Sequence, residues 1–516
     1  MYHGRKGGQN MDSTKNQKFI VAGLLLAILM ASMDNTIVAT AMGTIVSDLG
    51  GFDKFVWVTS AYMVATMASM PIFGKLSDMY GRKRFFLFGL ALFLVGSALC
   101  GMANSIVQLS IFRAIQGIGG GALMPIAFTI VFDIFPPDKR GKMTGLLGAV
   151  FGLSSVLGPL LGAYITEYAS WHWIFYVNIP IGIMSLFLVL RFYQESPNHM
   201  KQKIDWGGAA TLVIAVVSLM FALELGGGEY AWDSVQIIGL LASAAIFLAL
   251  FFFFEKHAKD PIISFWMFKK RIFATAQILS ILYGGTFIIL TVYIPIFVQA
   301  VYGGTATNAG LILTPMMLGS VIGSAIGGIF QTKIGFRKLM IISVVTFFTG
   351  MLLLGTLTPD TSRALLTIYL ILAGIGVGFS FSLLPIASID ELDARHRGMA
   401  TSTNSFLRSF GMTLGITIFG AIQNNAFTNK MTEAFKDSSQ GFNASLINMD
   451  DPKQLFQSDS RTQIPDFVLE KIVQSMSDSI TFTFTLALIP IAIAAGIILS
   501  IKKSQAEVSQ DTVSTK

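Results

Sequence analysis

Phe19 to Met42 reads FIVAGLLLAILMASMDNTIVATAM. Its length decides the fold: about two dozen residues at ~1.5 Å each cross a ~30 Å hydrocarbon layer as one helix. Almost every position is Ala, Val, Ile, Leu, Met or a small polar residue, yet Asp34 stands inside the run, in Ser32-Met33-Asp34-Asn35-Thr36. A carboxylate within a spanning helix costs at least about 2.5–3.5 kcal/mol on insertion scales, so it normally faces a partner or a wet cavity. Two readings follow. Asp34 is either a polar joint bonding a neighbouring helix or a proton carrier, and intramembrane acids are functional by default.

The rest of the chain extends this pattern. Of 516 residues, 53% are hydrophobic and only 13% charged, where soluble domains average about 25% charged. The sequence therefore predicts an all-α integral membrane protein. Fourteen spans are readable, at roughly 19–42, 55–74, 85–103, 106–131, 143–166, 172–190, 206–225, 235–254, 273–300, 307–331, 339–357, 364–387, 398–424 and 478–501. With the N-terminus in the cytoplasm, inside segments hold 27 of the 36 Lys and Arg. The short outside loops hold only Lys54 and Arg363, so both termini are expected to be cytoplasmic. The net charge of +7 is spread over short loops, so no nucleic-acid partner is expected. A lone Cys100 excludes an internal disulfide, and no Cys/His spacing fits a metal. Residues 1–18 read as a polar, disordered tail. The small-x-small run at Ala39-Thr40-Ala41 follows a stretch too long for a signal-peptide core.

The loop after the second span is Gly74-Lys75-Leu76-Ser77-Asp78-Met79-Tyr80-Gly81-Arg82-Lys83-Arg84. Its glycines permit a tight reversal. Asp78 can pair with Arg82 four residues on, or accept from a helix N-terminus. The pattern recurs: Gly328, Gly335, Arg337 and Lys338 lie 254 residues after Gly74, Gly81, Lys83 and Arg84. Leu123–Ala127 is echoed by Leu383–Ala387, and Arg140-Gly141 by Arg397-Gly398. Near-constant offsets at matching helix ends indicate a duplicated bundle. The expected architecture is two six-helix bundles with pseudo-twofold symmetry plus two inserted helices. Residues 19–195 form the first bundle, 196–260 the insert and 261–501 the second bundle with an external loop at 425–477, leaving 502–516 as a cytoplasmic tail.

Gly74 to Arg84 resembles the signature loop of the major facilitator superfamily, G-x-L-x-D-x-x-G-R-R/K-R/K, departing only at Met79. Met33 to Ala39 resembles the L-D-x-T-I/V-I/V-N/V-x-A pattern of its fourteen-helix drug/proton antiporters, departing at Gly43 where proline is usual. Arg113, Gln116 and Gly117 resemble the fourth-helix relay R-x-x-Q-G, and Gly152 to Gly162, with Gly158-Pro159, the fifth-helix antiporter motif ending G-P-x-x-G. The resemblance covers about residues 17–503. It implies a bacterial inner-membrane multidrug efflux transporter, with small amphipathic compounds, protons and the lipid bilayer as its partners, without cofactor or metal and working as a monomer. It further implies proton coupling at Asp34 and Arg113, gating by Gly74, Asp78, Gly81, Arg82 and Asp133, and a leak-blocking bend at Gly152, Gly158, Pro159 and Gly162.

The residues carry their own physical reading. Arg113 sits some seven residues, ~10 Å, below the outer end of the fourth helix, and Asp34 lies at similar depth. A pairing made in one conformation and broken in another makes proton affinity depend on conformation, which coupling requires. A static ion pair is the plainer alternative. Gln116 and Asn35 can bridge the pair. Pro159 favours a bend and the small residues around it a close helix seam; the second copy keeps Gly411 and Gly415 but no proline. Asp133 either joins the Asp78–Arg82 cluster or is a solvated helix end. Arg408, ten residues into the thirteenth span, reaches a wet cavity or snorkels. Further cavity candidates are Glu224, Asn404 and Phe287, the last because Gly284, Gly285 and Thr286 leave room beside it. Val468, Ile472 and Met476 have helical spacing and predict an amphipathic helix before the last span. The sequon at Asn443 reads as chance. No G-x-x-x-x-G-K-S/T loop points to ATP, and no cluster of nucleophiles or metal ligands points to an enzyme. A dedicated metabolite or siderophore exporter, and sodium coupling, remain open alternatives.

Overall fold

Hydrocarbon offers no water to unpaired N–H and C=O groups, so spanning segments must satisfy their backbones internally, as helices do. The computed structural model describes residues 6–50, 54–195, 205–227, 229–304, 311–436 and 465–501, and they are nearly all helical. The spans are α1 (Lys6–Leu49), α2 (Val56–Tyr80), α3 (Arg82–Cys100), α4 (Ile106–Ile134) and α5 (Pro137–Tyr168). They continue with α6 (Trp173–Phe192), α7 (Trp206–Leu225), α8 (Val235–His257) and α9 (Arg271–Ala300). The remainder are α10 (Thr314–Ile334), α11 (Phe336–Leu354), α12 (Arg363–Ile389), α13 (Arg397–Lys436) and α14 (Asp466–Ser500). Thirteen are long and apolar enough to cross a membrane. The fourteenth, α10, has the length at 21 residues, but its glycines and serines dilute its hydropathy.

Local chemistry sets the helix ends. Ser105, Ser234 and Ser362 cap α4, α8 and α12 by accepting from the N–H three residues on, and Asp205 caps α7 likewise. Pro137 opens α5, where its missing N–H costs nothing. Gly81 and Gly335 join α2 to α3 and α10 to α11 at φ of +110° and +88°, a region costly for any residue with a Cβ. That the two repeat-related positions share this conformation is the duplication seen in the backbone.

Packing repeats it as well. In the first half α4 lies against α2 and α3, α1 against α5 and α6, and α3 against α6. In the second half α12 lies against α10 and α11, α9 against α13 and α14, and α11 against α14. The halves meet through α5 on α10 and, in the symmetry-related position, α2 on α13. The inserted pair α7–α8 rests on α2 and α13 at the edge of that second junction, and α8 is largely exposed, as a lipid-facing helix should be.

Three expectations about extent need correction. Residues 6–18 continue α1 instead of forming a disordered tail, because no proline stops helix propagation from the apolar run. α1 reaches Leu49, and α13 runs to Lys436, well into the segment expected to be an external loop. The amphipathic helix before the last span is present as the start of α14, with Val468, Ile472 and Met476 buried on one face. Asn443 lies outside the described residues.

Candidate functional site

Asp34 and Arg113 are both completely buried. α1 and α4 place them opposite one another, and Arg113 Nη1 donates to Asp34 Oδ2 in a short ion pair. Gln116, one turn further along α4, closes a triangle: its Nε2 donates to Asp34 Oδ1 at 2.8 Å and its Oε1 accepts from Arg113 Nη1 at 2.8 Å. Asn178 at the start of the main segment of α6 supplies another donor, Nδ2 to Asp34 Oδ1 at 2.8 Å, and the same group reaches Ser97 Oγ on α3 at 3.0 Å. The Tyr62 ring of α2 lies 4.0 Å from Arg113 Cζ, a cation–π seat. Five helices thus meet at this site, two of them supplying the donors to the carboxylate on a third. Arg113 Nη2 is sealed from solvent without a hydrogen-bond acceptor. The site holds a closed charge pair with one guanidinium donor left without an acceptor.

Of the two expected bridges, Gln116 makes the connection and Asn35 does not. Asn35 is adjacent in sequence and therefore about 100° round the helix; it is half-buried, and its Oδ1 has no partner. Asn178, Ser97 and Tyr62 were missed. Asn178 was the most findable, an amide at the head of an apolar run in Val177-Asn178-Ile179-Pro180.

A second cluster forms where α2, α4 and α13 end. Asp78 accepts from the N–H groups of Gly398 at 2.9 Å and Met399 at 2.8 Å, the orphan donors in the first turn of α13. Arg82 donates to Asp78 at 3.0 Å and to the Ala394 carbonyl at 2.7 Å. Its Nε lies 2.7 Å from Asp133 as an ion contact outside hydrogen-bond alignment. Asp133 also receives Arg397 Nη1 at 3.0 Å. Thr129 and Thr401 hydroxyls meet at 2.7 Å. Every one of these bonds to residues 394–401 crosses between halves. Gly74 has to be glycine here, because a Cβ would fall 2.0 Å from Ser402 Oγ.

The α5 glycines divide into two sets. Gly141, Gly145, Gly148 and Gly152 face α10 of the other half, and a Cβ on Gly141 would sit 2.0 Å from the Gly328 carbonyl. Gly158 and Gly162 instead receive Thr36 and Thr40 of α1, with Thr36 Oγ1 at 1.8 Å from a Cβ on Gly158. In the second half Gly411 and Gly415 press on the backbone of α9 in the matching place. Pro159 lies within one continuous helix. Gly284 and Gly285 do not make room beside Phe287 as expected, because the backbone of α13 fills that space. Phe287 is buried edge-on against Phe381, ring centres 5.5 Å apart. Asn404 turns into α9, donating to Ser280 Oγ at 2.6 Å, so it does not open onto a cavity. Glu224 is exposed and accepts from Ser60 at 2.9 Å.

The Major Facilitator Superfamily family model matches residues 24–416. The chain belongs to the Major Facilitator Superfamily. It is 66% identical over 507 residues to Multidrug resistance protein 3 of Bacillus subtilis, covering 97% of this chain and 99% of that one. It is 38% identical to the multidrug transporter protein MdtP of the same organism, covering 94% and 92%. Among solved structures, the proton:xylose symporter XylE aligns with a TM-score of 0.64 at 13% identity over 96% of this chain and 99% of the other, a likeness of fold. The human organic anion transporter MFSD10 aligns with a TM-score of 0.59 at 14% identity, covering 92% and 99%. The buried charge pair lies within the first half, and the Asp78–Arg82–Asp133 cluster ties the first half to the second.

Proposed function

We propose that this transporter exports small amphipathic or lipophilic compounds, drugs among them, in exchange for protons. The observation that carries the reading is the buried Asp34, held by Arg113, Gln116 and Asn178 at once. Neutralising such a carboxylate removes the partner of a buried guanidinium, and an unpaired buried charge is destabilising by about 3–5 kcal/mol. Proton uptake therefore favours whichever arrangement of the halves relieves Arg113. Release favours the arrangement with the pair closed. Proton affinity and conformation are thus linked, and the same holds for any solute that distinguishes the conformations.

The inter-half contacts supply the other conformation-dependent element. Gly74, Asp78, Gly81, Arg82 and Asp133 act as a latch at the end assigned to the cytoplasm by its lysines and arginines. With that latch closed, the central space opens toward the other face, the release state of an exporter. The seam of Gly158 and Gly162 on α1 keeps the helix carrying Asp34 tightly packed, which opposes proton leak. The multidrug names of the two Bacillus subtilis relatives support the substrate class.

The test is efflux of a lipophilic dye into everted vesicles under an imposed pH gradient. Native protein should accumulate dye until the gradient is collapsed, and Asp34→Asn should not. Accumulation that follows an imposed sodium gradient and ignores pH would replace the proton with sodium.

A further inference from the structure

Arg408 is a second arginine inside the helix bundle, but its surroundings differ from those of Arg113. It lies eleven residues into α13 from Arg397, about 16 Å along the helix axis and so near mid-membrane. Its neighbours belong to the bundle interior: the Gly284 backbone of α9 is in contact with its stem, and Nη2 donates to the Ser380 carbonyl of α12 at 3.0 Å. The guanidinium carbon stands 4.8 Å from the centre of the Phe381 ring. That ring is 5.2 Å from Phe151 of α5, on the opposite half. Arg408 therefore faces the space between the halves and not the lipid.

No carboxylate among the described residues pairs with it. Arg408 is nevertheless partly exposed, and none of its nitrogens is both sealed and unbonded, in contrast to Nη2 of Arg113. Exposure at that depth means that its free N–H groups open onto an internal aqueous space. An unpaired guanidinium at mid-membrane is costly unless water or an anion meets it. The buried acid of the first half cannot supply one, since Asp34 is wholly enclosed by its own partners. The central space thus carries an uncompensated positive charge above an aromatic ring shared between the halves.

We propose that Arg408 is an anion-binding site of the substrate cavity, taking the carboxylate of an aromatic acid or zwitterion whose ring lies against Phe151 and Phe381. The forked, planar N–H groups suit a carboxylate, and the rings suit a flat apolar body. This rests on the export reading for what the cavity carries, and it narrows that cargo to compounds bearing an acid group.

The experiment measures binding alone, with no gradient, on purified full-length protein in detergent. The probes are rhodamine B, which carries a free carboxylate, and its ethyl ester, which keeps the same ring system without that charge. Fluorescence anisotropy should show native protein binding the acid more tightly than the ester. Arg408→Gln should weaken the acid about tenfold or more, the scale of one charge-assisted hydrogen bond, and change the ester less than about twofold. Arg408→Lys, which keeps the charge but loses the fork, should fall between. Asp34→Asn should keep the preference, so that a failed antiport assay with preserved acid selectivity sinks only the proton reading. The inference is overturned if native protein binds acid and ester alike, or if Arg408→Gln weakens both equally. Loss of the preference in 0.1 M chloride would also overturn it, leaving a site for small inorganic anions only.

Discussion

The two halves share one backbone plan and differ in their central chemistry. In the first, Asp34, Arg113, Gln116 and Asn178 form a sealed network in which the arginine is matched by an acid. In the second, Gln277, Ser280, Ser388 and Asn404 make an uncharged network, Gln277 to Ser388 at 3.2 Å, while Arg408 stands apart without an acid. Duplication fixed where helices cross, because the glycine seams and turns recur. It did not fix which side chains fill the crossings. A pseudo-symmetric frame can therefore keep a titratable pair in one half and an open binding wall in the other.

The largest effect should separate the halves outright. Asp34→Asn should reduce uphill, pH-driven dye accumulation at least tenfold, whereas Asn404→Ala should leave more than half of it; equal losses would break the contrast. Next, Arg113→Ala leaves an enclosed acid unpaired and should cost about 3–5 kcal/mol of stability. Arg408→Ala, removing a charge that already meets water, should cost under about 1 kcal/mol. Thermal unfolding of the two variants in detergent measures this, and similar melting temperatures would show that Arg408 is structurally paired after all.

At the junction of the halves, Gly74→Val should force the latch apart, since the first added carbon already collides with Ser402. In a Cys100→Ser background, a cysteine at Thr401 should then react with a water-soluble maleimide about tenfold faster than with Gly74 intact. An unchanged rate would mean that this contact does not hold the end closed. The smallest effect belongs to Asn178→Ala. It removes one donor among three from Asp34, and should cost about 1–3 kcal/mol with efflux lowered but still driven by pH. Full loss would promote Asn178 from support to an obligatory part of the proton site.

The contrast also explains what could be read in advance. Asp34 and Arg113 stood out because a charge in an apolar run is conspicuous wherever the helix turns. Gln116 followed from its spacing on the face of Arg113. Asn178, Ser97 and Tyr62 gave no comparable signal, since a neutral polar side chain in a span is common and its partner lies on another helix. Phe287 and Asn404 show the reverse error. Glycines beside Phe287 were read as free space, but space in a bundle belongs to whichever backbone approaches, and there α13 does.

By itself the sequence determined that the chain spans a membrane as fourteen helices, that it is duplicated, and that two buried charges lie at one depth. Those properties depend on length, apolarity and period, which act along the chain and survive without knowledge of neighbours. Only the tertiary structure decided that Asp34 meets Arg113 while Arg408 meets no acid, and that Asp78 caps a helix of the opposite half. Pairing depends on the rotation of each helix about its axis, and about 100° per residue turns one neighbour toward a partner and the next away from it.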